Sequence, residues 1–262
     1  MKTITSLKNP AVQEARALAS ARERARQRAF LLDGEHMVGE GLRMCPREVR
    51  AVFVEERRAP DYARLLDQAM GEVYAVPEHV LAAISQVKAP QGIAAVCAMP
   101  QSRPLAELGR RLVLLENVQD PGNVGTVLRT LDAAGLDGCV LAPGCADPFG
   151  PKALRATMGS VFRVPLCFVE DAAQAAAALS ARGYATIAGA LDGQPFYERG
   201  ALGPKWCVLI GNEGQGLTRA AQDACTHRYR LPMRGGAESL NAAVAAAVFM
   251  YELVNHEGGT DA

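Results

Sequence analysis

The sequence lacks a net charge: 28 lysines and arginines balance 28 aspartates and glutamates over 262 residues. That excludes a globally basic nucleic-acid binder but leaves room for a local one. No stretch approaches the ~18 apolar residues of a membrane span. The start, MKTITSLKNP, has neither an apolar signal core nor an Arg/Ser-rich transit pattern. There is no Cys-x-x-Cys pair. The seven cysteines (Cys45, Cys97, Cys139, Cys145, Cys167, Cys207 and Cys225) are scattered, with no histidine at zinc-finger spacing. They read as reduced, mostly buried thiols of a cytoplasmic protein, with no metal centre. No G-x-G-x-x-G follows the first strand of the second half, and no Gly-Lys-Ser/Thr closes a glycine-rich loop, which argues against dinucleotide and nucleoside-triphosphate sites. Long-period repeats and low-complexity tracts are also missing.

What is present divides in two. At 262 residues, 49% of them hydrophobic, the chain can bury two cores. The best boundary is Met99-Pro-Gln-Ser-Arg-Pro104, where two prolines bracket polar residues. We therefore expect a first domain over 1–99, a linker over 100–108 and a second domain over 109–262. Within residues 1–30, seven basic residues face two acidic ones, leaving +5. The pattern predicts one helix from Pro10 to Arg28. On it, Arg22 and Arg26 are four apart, as are Arg24 and Arg28, giving two adjacent basic ridges. These four arginines are the candidate RNA-phosphate contacts; a solvated helix face is the alternative.

The rest of the first domain reads as a small alternating α/β set. Strands are expected at 30–32, 49–54, 73–76 and 93–98, and helices at 35–43, 61–70 and 78–85. The second domain alternates more clearly. Its strands are expected at 112–117, 138–142, 164–168, 185–189, 207–210 and 229–231, with a last helix over 240–255. Continuous apolar runs such as Cys207-Val-Leu-Ile210 fit strands covered on both faces, hence a mainly parallel sheet.

Polar and glycine-rich residues gather after three of these strands, where open parallel sheets bind ligands. The first cluster is Asp120-Pro-Gly-Asn123-Val-Gly-Thr-Val-Leu-Arg129, with Asn123 expected at or near a helix N-cap. The second is Gly211-Asn212-Glu213-Gly214-Gln-Gly-Leu217, whose glycines let a ligand approach the backbone. The third runs from Leu231-Pro-Met233 to Ser239-Leu240-Asn241, with Ser239 expected to cap the last helix. Each cluster alone reads equally well as turn and capping chemistry.

Together and in this order, the three clusters resemble the three motifs of the SpoU (TrmH-like) RNA ribose methyltransferases of the SPOUT superfamily. Lys152-Ala-Leu-Arg155 through Pro165 is similar to the family's intermotif helix and strand. Ile4 to Pro10, Phe30-Leu-Leu-Asp-Gly34 and Pro90-Gln-Gly-Ile93 are similar to the ribosomal-protein-like substrate-binding domain of its rRNA-directed members. The resemblance spans nearly the whole chain. One departure is Ala243, where the family often has a serine.

The resemblance implies an α/β fold: a C-terminal trefoil-knotted, mainly parallel methyltransferase domain behind a smaller N-terminal α/β RNA-binding domain. General topology rules alone would call the knot improbable. It also implies S-adenosyl-L-methionine as cofactor, held near Gly211, Asn212, Gly214, Leu231, Met233, Ser239 and Leu240. The implied reaction moves its methyl group to a ribose 2′-hydroxyl of RNA, rRNA rather than tRNA, in a homodimer built on the knotted domain. Its catalytic candidates are Arg129, Asn123, Glu213, Ser239 and Asn241. Arg129 is the family's candidate base, yet a guanidinium is rarely deprotonated, so a cationic stabiliser is the other reading. His36, His79, His227 and His256 lie outside the motifs. Three rivals remain: a tRNA ribose methyltransferase, a non-catalytic RNA-binding or ribosome-assembly factor on the same fold, and a nicotinamide-dependent oxidoreductase.

Overall fold

The computed structural model describes residues 1–257. By packing, the chain divides into two compact units. One comprises Met1–Pro100 and Phe149–Arg163; the other comprises Gln101–Pro148 and the chain from Val164 onward.

The first unit contains β1 (Lys2–Thr3), α1 (Pro10–Ala17), α2 (Ala21–Gln27), β2 (Ala29–Asp33), α3 (Glu35–Met44) and β3 (Val49–Glu55). It continues with α4 (Ala63–Leu66), β4 (Glu72–Val76), α5 (Glu78–Ile84) and β5 (Ile93–Ala98). Its five strands lie in the order β1-β4-β3-β5-β2, with β5 antiparallel to both neighbours. Helices α1 and α5 cover one side through Val12, Ala15, Val80, Leu81 and Ile84. Two sequence-identified motifs meet here. Gly34 N–H donates to Ile93 O, and Gln91 Oε1 accepts from Glu35 N, each at 3.0 Å. Gly34 has φ +91°, and a Cβ there would stand 2.6 Å from Gln91 Oε1, so glycine is required.

Two expectations need correction. The helix expected from Pro10 to Arg28 is two helices, broken at Leu18–Ser20, with Ser20 extended (φ −86°, ψ 131°). Arg24 is accordingly not on an exposed basic ridge. It is 5% exposed, and its Nη1 donates to Leu18 O (2.8 Å) and Ala19 O (3.0 Å), the carbonyls freed by the break. Arg22, Arg26 and Arg28 are exposed, and Arg26 is paired with Glu23. The helix expected over 61–70 shrinks to α4, because Tyr62 turns inward and its hydroxyl donates to Gln91 O.

Residues 149–163, within the second domain by sequence, pack with the first unit. They include α7 (Pro151–Thr157), so named because α6 (Pro121–Ala133) precedes it between β6 (Arg111–Leu115) and β7 (Gly138–Leu141). The Phe30 ring lies 5.0 Å from Phe149 and 6.2 Å from Phe162. Arg163 pairs with Glu40 of α3 at 2.7 Å, and Arg43 pairs with the same carboxylate.

The second unit holds β6, α6 and β7, then β8 (Leu166–Phe168), α8 (Ala172–Ala181), β9 (Ala185–Pro195) and β10 (Trp206–Ile210). After these come α9 (Arg219–Asp223), β11 (His227–Arg230) and α10 (Ala242–Glu257). The sheet order is β11-β9-β10-β6-β7-β8, and every pairing is parallel. Residues 112–115 and 206–210 are buried throughout, as the apolar runs led us to expect. From β6 the chain moves outward through β7 and β8. It then returns on the other side, and β10 settles between β9 and β6. The carboxyl ends of β6 and β10 therefore flank a topological switch point. β9 outruns its expected end at Gly189, continuing past a bulge opposite Arg228/Tyr229 to Pro195. Among the described residues, no helix is long and apolar enough to cross a membrane.

The Arg24 geometry predicts a division of labour among the arginines. Arg24→Ala leaves two carbonyls without their donor and should destabilise the chain by about 1–3 kcal/mol. Arg22→Ser and Arg28→Ser should leave the melting temperature nearly unchanged. Equal melting temperatures for all three variants would refute this reading of Arg24.

Candidate active site

The site is built from three loops at the switch point. After β6 the chain turns at Asn117 (φ 55°) and starts α6 at Asp120. Asp120, not Asn123, is the N-cap: its Oδ1 accepts from Gly122 N (2.6 Å) and Asn123 N (3.1 Å), with Pro121 at the first helical position. This leaves the Asn123 side chain free to face outward from the first turn.

After β10 the chain makes a glycine-rich loop. Gly211 runs against the returning backbone: a Cβ there would stand 2.2 Å from Gly216 C and Leu217 N. Asn212 shapes the loop from inside. Its Oδ1 accepts from Gly214 N (2.9 Å) and Gln215 N (3.0 Å), and its Nδ2 donates to Asn117 O (3.0 Å). Glu213 is thereby presented at the loop's exposed tip.

After β11 comes the third loop, which ends at α10. The cap of α10 is Asn241 rather than Ser239, and the helix starts at Ala242: Asn241 Oδ1 accepts from Ala243 N (2.9 Å) and Val244 N (3.3 Å). Ser239 is exposed in the preceding loop, and its hydroxyl has no hydrogen bond among the described residues.

One amide joins the three loops. Asn123 Nδ2 donates to Glu213 Oε1 (2.8 Å), and Asn123 Oδ1 accepts from Asn241 Nδ2 (2.9 Å). Donor and acceptor ends are both committed, so the amide has one orientation. Asp120 N also donates to Glu213 Oε1, at 3.4 Å. Burial pushes the Glu213 carboxyl up. The hydrogen bond from Asn123 and the backbone N–H groups of Glu213, Asp120 and Gln119 outweigh it, so its pKa lies below the usual carboxylate value.

Beside this network lies a cleft of about 640 Å³. Every residue assigned to the cofactor from sequence lines it: Gly211, Asn212, Gly214, Leu231, Met233, Ser239 and Leu240. Glu213 lines it too, and Ile210, Leu217 and Phe249 add apolar surface. Asn123, Asn241 and Arg129 do not line it. Arg129 stands six residues beyond Asn123, about 9 Å further along the helix axis. It is exposed, makes no hydrogen bond or ion pair among the described residues, and lies outside the amide network. Of the five catalytic candidates, Asn123, Glu213 and Asn241 are thus brought together within one chain, and Arg129 and Ser239 are not joined to them by a hydrogen bond.

Sequence reasoning missed Leu191 and Asp192, which reach the cleft because β9 runs past Gly189. The only signal was a second glycine, Gly193, where a Cβ would stand 2.7 Å from Tyr229 N. It also missed Glu116, whose carboxylate accepts from Thr218.

An all-parallel sheet, a cleft at its switch point and walls made of backbone-rich loops define an α/β enzyme domain that binds a small organic cofactor. The chain belongs to the SpoU rRNA Methylase family, whose model matches residues 110–251. Residues 9–95 match an MRM3-like substrate binding domain. The chain is 37% identical over 261 residues to the 23S rRNA (guanosine(2553)-2′-O)-methyltransferase RlmP of Bacillus subtilis (strain 168), covering 97% of this chain and 99% of that protein. An AdoMet-bound rRNA methyltransferase from Sinorhizobium meliloti superposes with a TM-score of 0.83 at 31% identity, covering 97% of this chain and 98% of that one. The SpoU methyltransferase AviRb from Streptomyces viridochromogenes, in complex with AdoMet, gives 0.84 at 29% identity, with 95% and 98% covered.

The lowered pKa of Glu213 has a pH consequence. Its folded value lies below its unfolded one, so the stability it contributes is complete above the unfolded pKa. That contribution is lost as pH falls through the carboxylate range toward the folded value. The wild type should therefore melt above Glu213→Gln at pH 7, and the gap should close below about pH 4. A gap that stays constant between pH 7 and pH 3 would contradict the assignment.

Proposed function

We propose that the second unit transfers the methyl group of S-adenosylmethionine to a ribose 2′-hydroxyl of rRNA that the first unit helps to bind. The protein is an S-adenosylmethionine-dependent RNA 2′-O-methyltransferase. The observation that carries this reading is the Glu213–Asn123–Asn241 chain, which ties all three family motifs to the mouth of one cleft. The family's trefoil knot, a first domain over 1–99 with a linker over 100–108, and action in the cytoplasm are part of the same proposal.

The cleft suits the cofactor. Its volume falls in the range of about 300–1,000 Å³ typical of small-molecule sites. Its wall offers backbone at Gly211 and Gly214 and apolar side chains at Leu231, Met233 and Leu240, which would hold an adenosyl group. When bound, S-adenosylmethionine supplies a methyl group already activated by its sulfonium charge. The protein's own task is then to align the 2′-oxygen and support the charge that develops on it.

Glu213 is a poor proton acceptor, since hydrogen bonds hold its carboxylate ionised. It acts by fixing Asn123, which in turn fixes the N-terminus of α10 through Asn241. Arg129 has no partner among the described residues and is free to meet a phosphate or the developing alkoxide as a cation. Ser239, with its free hydroxyl at the cleft, is available to the ribose. Of the four arginines expected to meet RNA phosphate, Arg22 and Arg28 are exposed and make no hydrogen bond or ion pair among the described residues. Arg26 is held by Glu23.

The test is transfer of labelled methyl from S-adenosylmethionine to rRNA, followed by alkaline hydrolysis. A 2′-O-methylated nucleotide survives alkali as a dinucleotide, because the attacking hydroxyl is blocked. Label recovered on a base, or no label at all, would overturn the reading. Arg129→Ala should retain cofactor affinity and lose at least the ~10²-fold of a positioned acid–base or oxyanion group. Substantial activity in Arg129→Lys marks a cationic stabiliser, and complete loss marks a role that needs the planar guanidinium.

A homodimer through the second unit belongs to the same proposal, and its contact falls on the exposed side of α10. Ala242 and Ala246 are buried within their own unit and Ala245 lines the cleft, so the small-residue face is already used. What α10 leaves open are Val244 (48% exposed) and Tyr251 (45% exposed), two turns apart on one side. A dimeric mass by light scattering at micromolar concentration is expected, falling to monomer in Val244→Glu/Tyr251→Glu. A monomeric wild type would remove the dimer from the proposal.

A further inference from the structure

Glu116 directly follows β6 and is 9% exposed. A carboxylate in that setting needs compensating donors. One residue supplies them all: Thr218 N and Thr218 Oγ1 each donate at 2.8 Å, to Oε2 and Oε1 respectively. Both carboxylate oxygens are thus spent on the far end of the glycine-rich loop. Thr218 also caps α9 by accepting from Ala221 N at 3.2 Å. The near end of the loop is fixed from the same place. Glu116 N donates to Ile210 O at 2.9 Å, and Asn212 Nδ2 donates to Asn117 O at 3.0 Å. Two consecutive residues therefore pin both ends of the loop. Between the pins lie Glu213 and the backbone of Gly211 and Gly214 that walls the cleft. Glu116 itself does not line the cleft, so any effect it has on chemistry passes through the loop.

We propose that Glu116 is a positioning residue for methyl transfer. Through Thr218 it sets the height of the loop, and so the place of Glu213 and of the Asn123–Asn241 amide pair beyond it. The role rests on the methyl-transfer reading above. A carboxylate is needed because both incoming groups are donors. Glutamine offers one acceptor and turns an NH₂ group toward the other donor. Hydrogen bonds to the ionised group are also shorter and stronger than neutral ones. A small upward drift of the loop moves Glu213 away from Asn123, and a misplacement of about 1 Å far from the chemistry costs about 10²-fold in rate.

The experiment compares Glu116→Gln, Thr218→Val and Thr218→Ser with the wild type in the full chain. In Glu116→Gln, kcat should fall about 10²-fold while KM for rRNA stays unchanged. Amide hydrogen exchange across residues 212–217 should accelerate in parallel. Thr218→Val should move both readouts in the same direction, and Thr218→Ser, which keeps the hydroxyl, should restore most of the loss. An unchanged kcat in Glu116→Gln, or a loss of rate with no change in loop exchange, overturns the proposal. If Glu116→Gln does not fold, the Val and Ser variants decide alone, and equal rates in those two overturn it. A wild type that transfers no methyl group overturns the function reading and this role with it; an active wild type beside an equally active Glu116→Gln overturns the role alone.

Discussion

A side-chain amide can be a donor at one end and an acceptor at the other, and the site depends on Asn123 being both at once. Its nitrogen holds Glu213 and its oxygen holds Asn241. The three residues follow three different strands, and Glu213 and Asn241 lie 90 and 118 positions from Asn123 in sequence. Nothing local could fix their relative height. The parallel register of β6 and β10, Leu115 opposite Ile210, delivers two of the loops side by side. The cap on α10 delivers the third, because the same Asn241 that closes the helix N-terminus reaches Asn123 with its other end. Helix capping and site assembly are thus one set of hydrogen bonds.

The electrostatics follow a similar economy. The chain is neutral overall, so cations must be made useful by where they stand. Arg24 is consumed by two backbone carbonyls, Arg26 by Glu23 and Arg163 by Glu40, and these serve structure. Among the described residues Arg129 is left without a partner on α6, whose first turn carries the network in which Glu213 is already satisfied. An unpaired guanidinium on the helix that also carries Asn123 is open to a ligand with negative charge.

Much of this was legible in the sequence, for identifiable reasons. Strands buried on both faces announce themselves as unbroken apolar runs, so the parallel sheet and the clusters at its carboxyl ends could be read directly. The glycine-rich loop of Gly211–Leu217 was readable because glycine marks backbone that must bend or be approached, whereas Leu231, Met233, Ser239 and Leu240 were named only through the family resemblance. Boundaries set by competition between neighbouring side chains were not readable. Asn123 and Ser239 are as good caps by composition as Asp120 and Asn241, and only the three-dimensional path decides which carbonyls and N–H groups are left over. The four arginines of residues 22–28 look equivalent in a helical projection, yet a break at Leu18–Ser20 draws one of them inward. Glu116 gave no signal at all, because its partner lies 102 residues away.

The packing of Phe149–Arg163 with the first unit gives the chain an unusual order of completion. A domain made of contiguous residues can finish folding as soon as its own last residue leaves the ribosome, and N-terminal domains generally do so first. Here the first unit waits. The Phe30 ring and the Glu40 carboxylate have no tertiary cover from Phe149, Phe162 and Arg163 until residue 163 has been made, by which time β6, α6 and β7 of the second unit have already been synthesised. The two units are therefore interleaved along the chain, and the first cannot complete its packing until the second has been begun. A chain stopped at residue 163 holds every residue of the first unit, but of the second unit's sheet only β6 and β7.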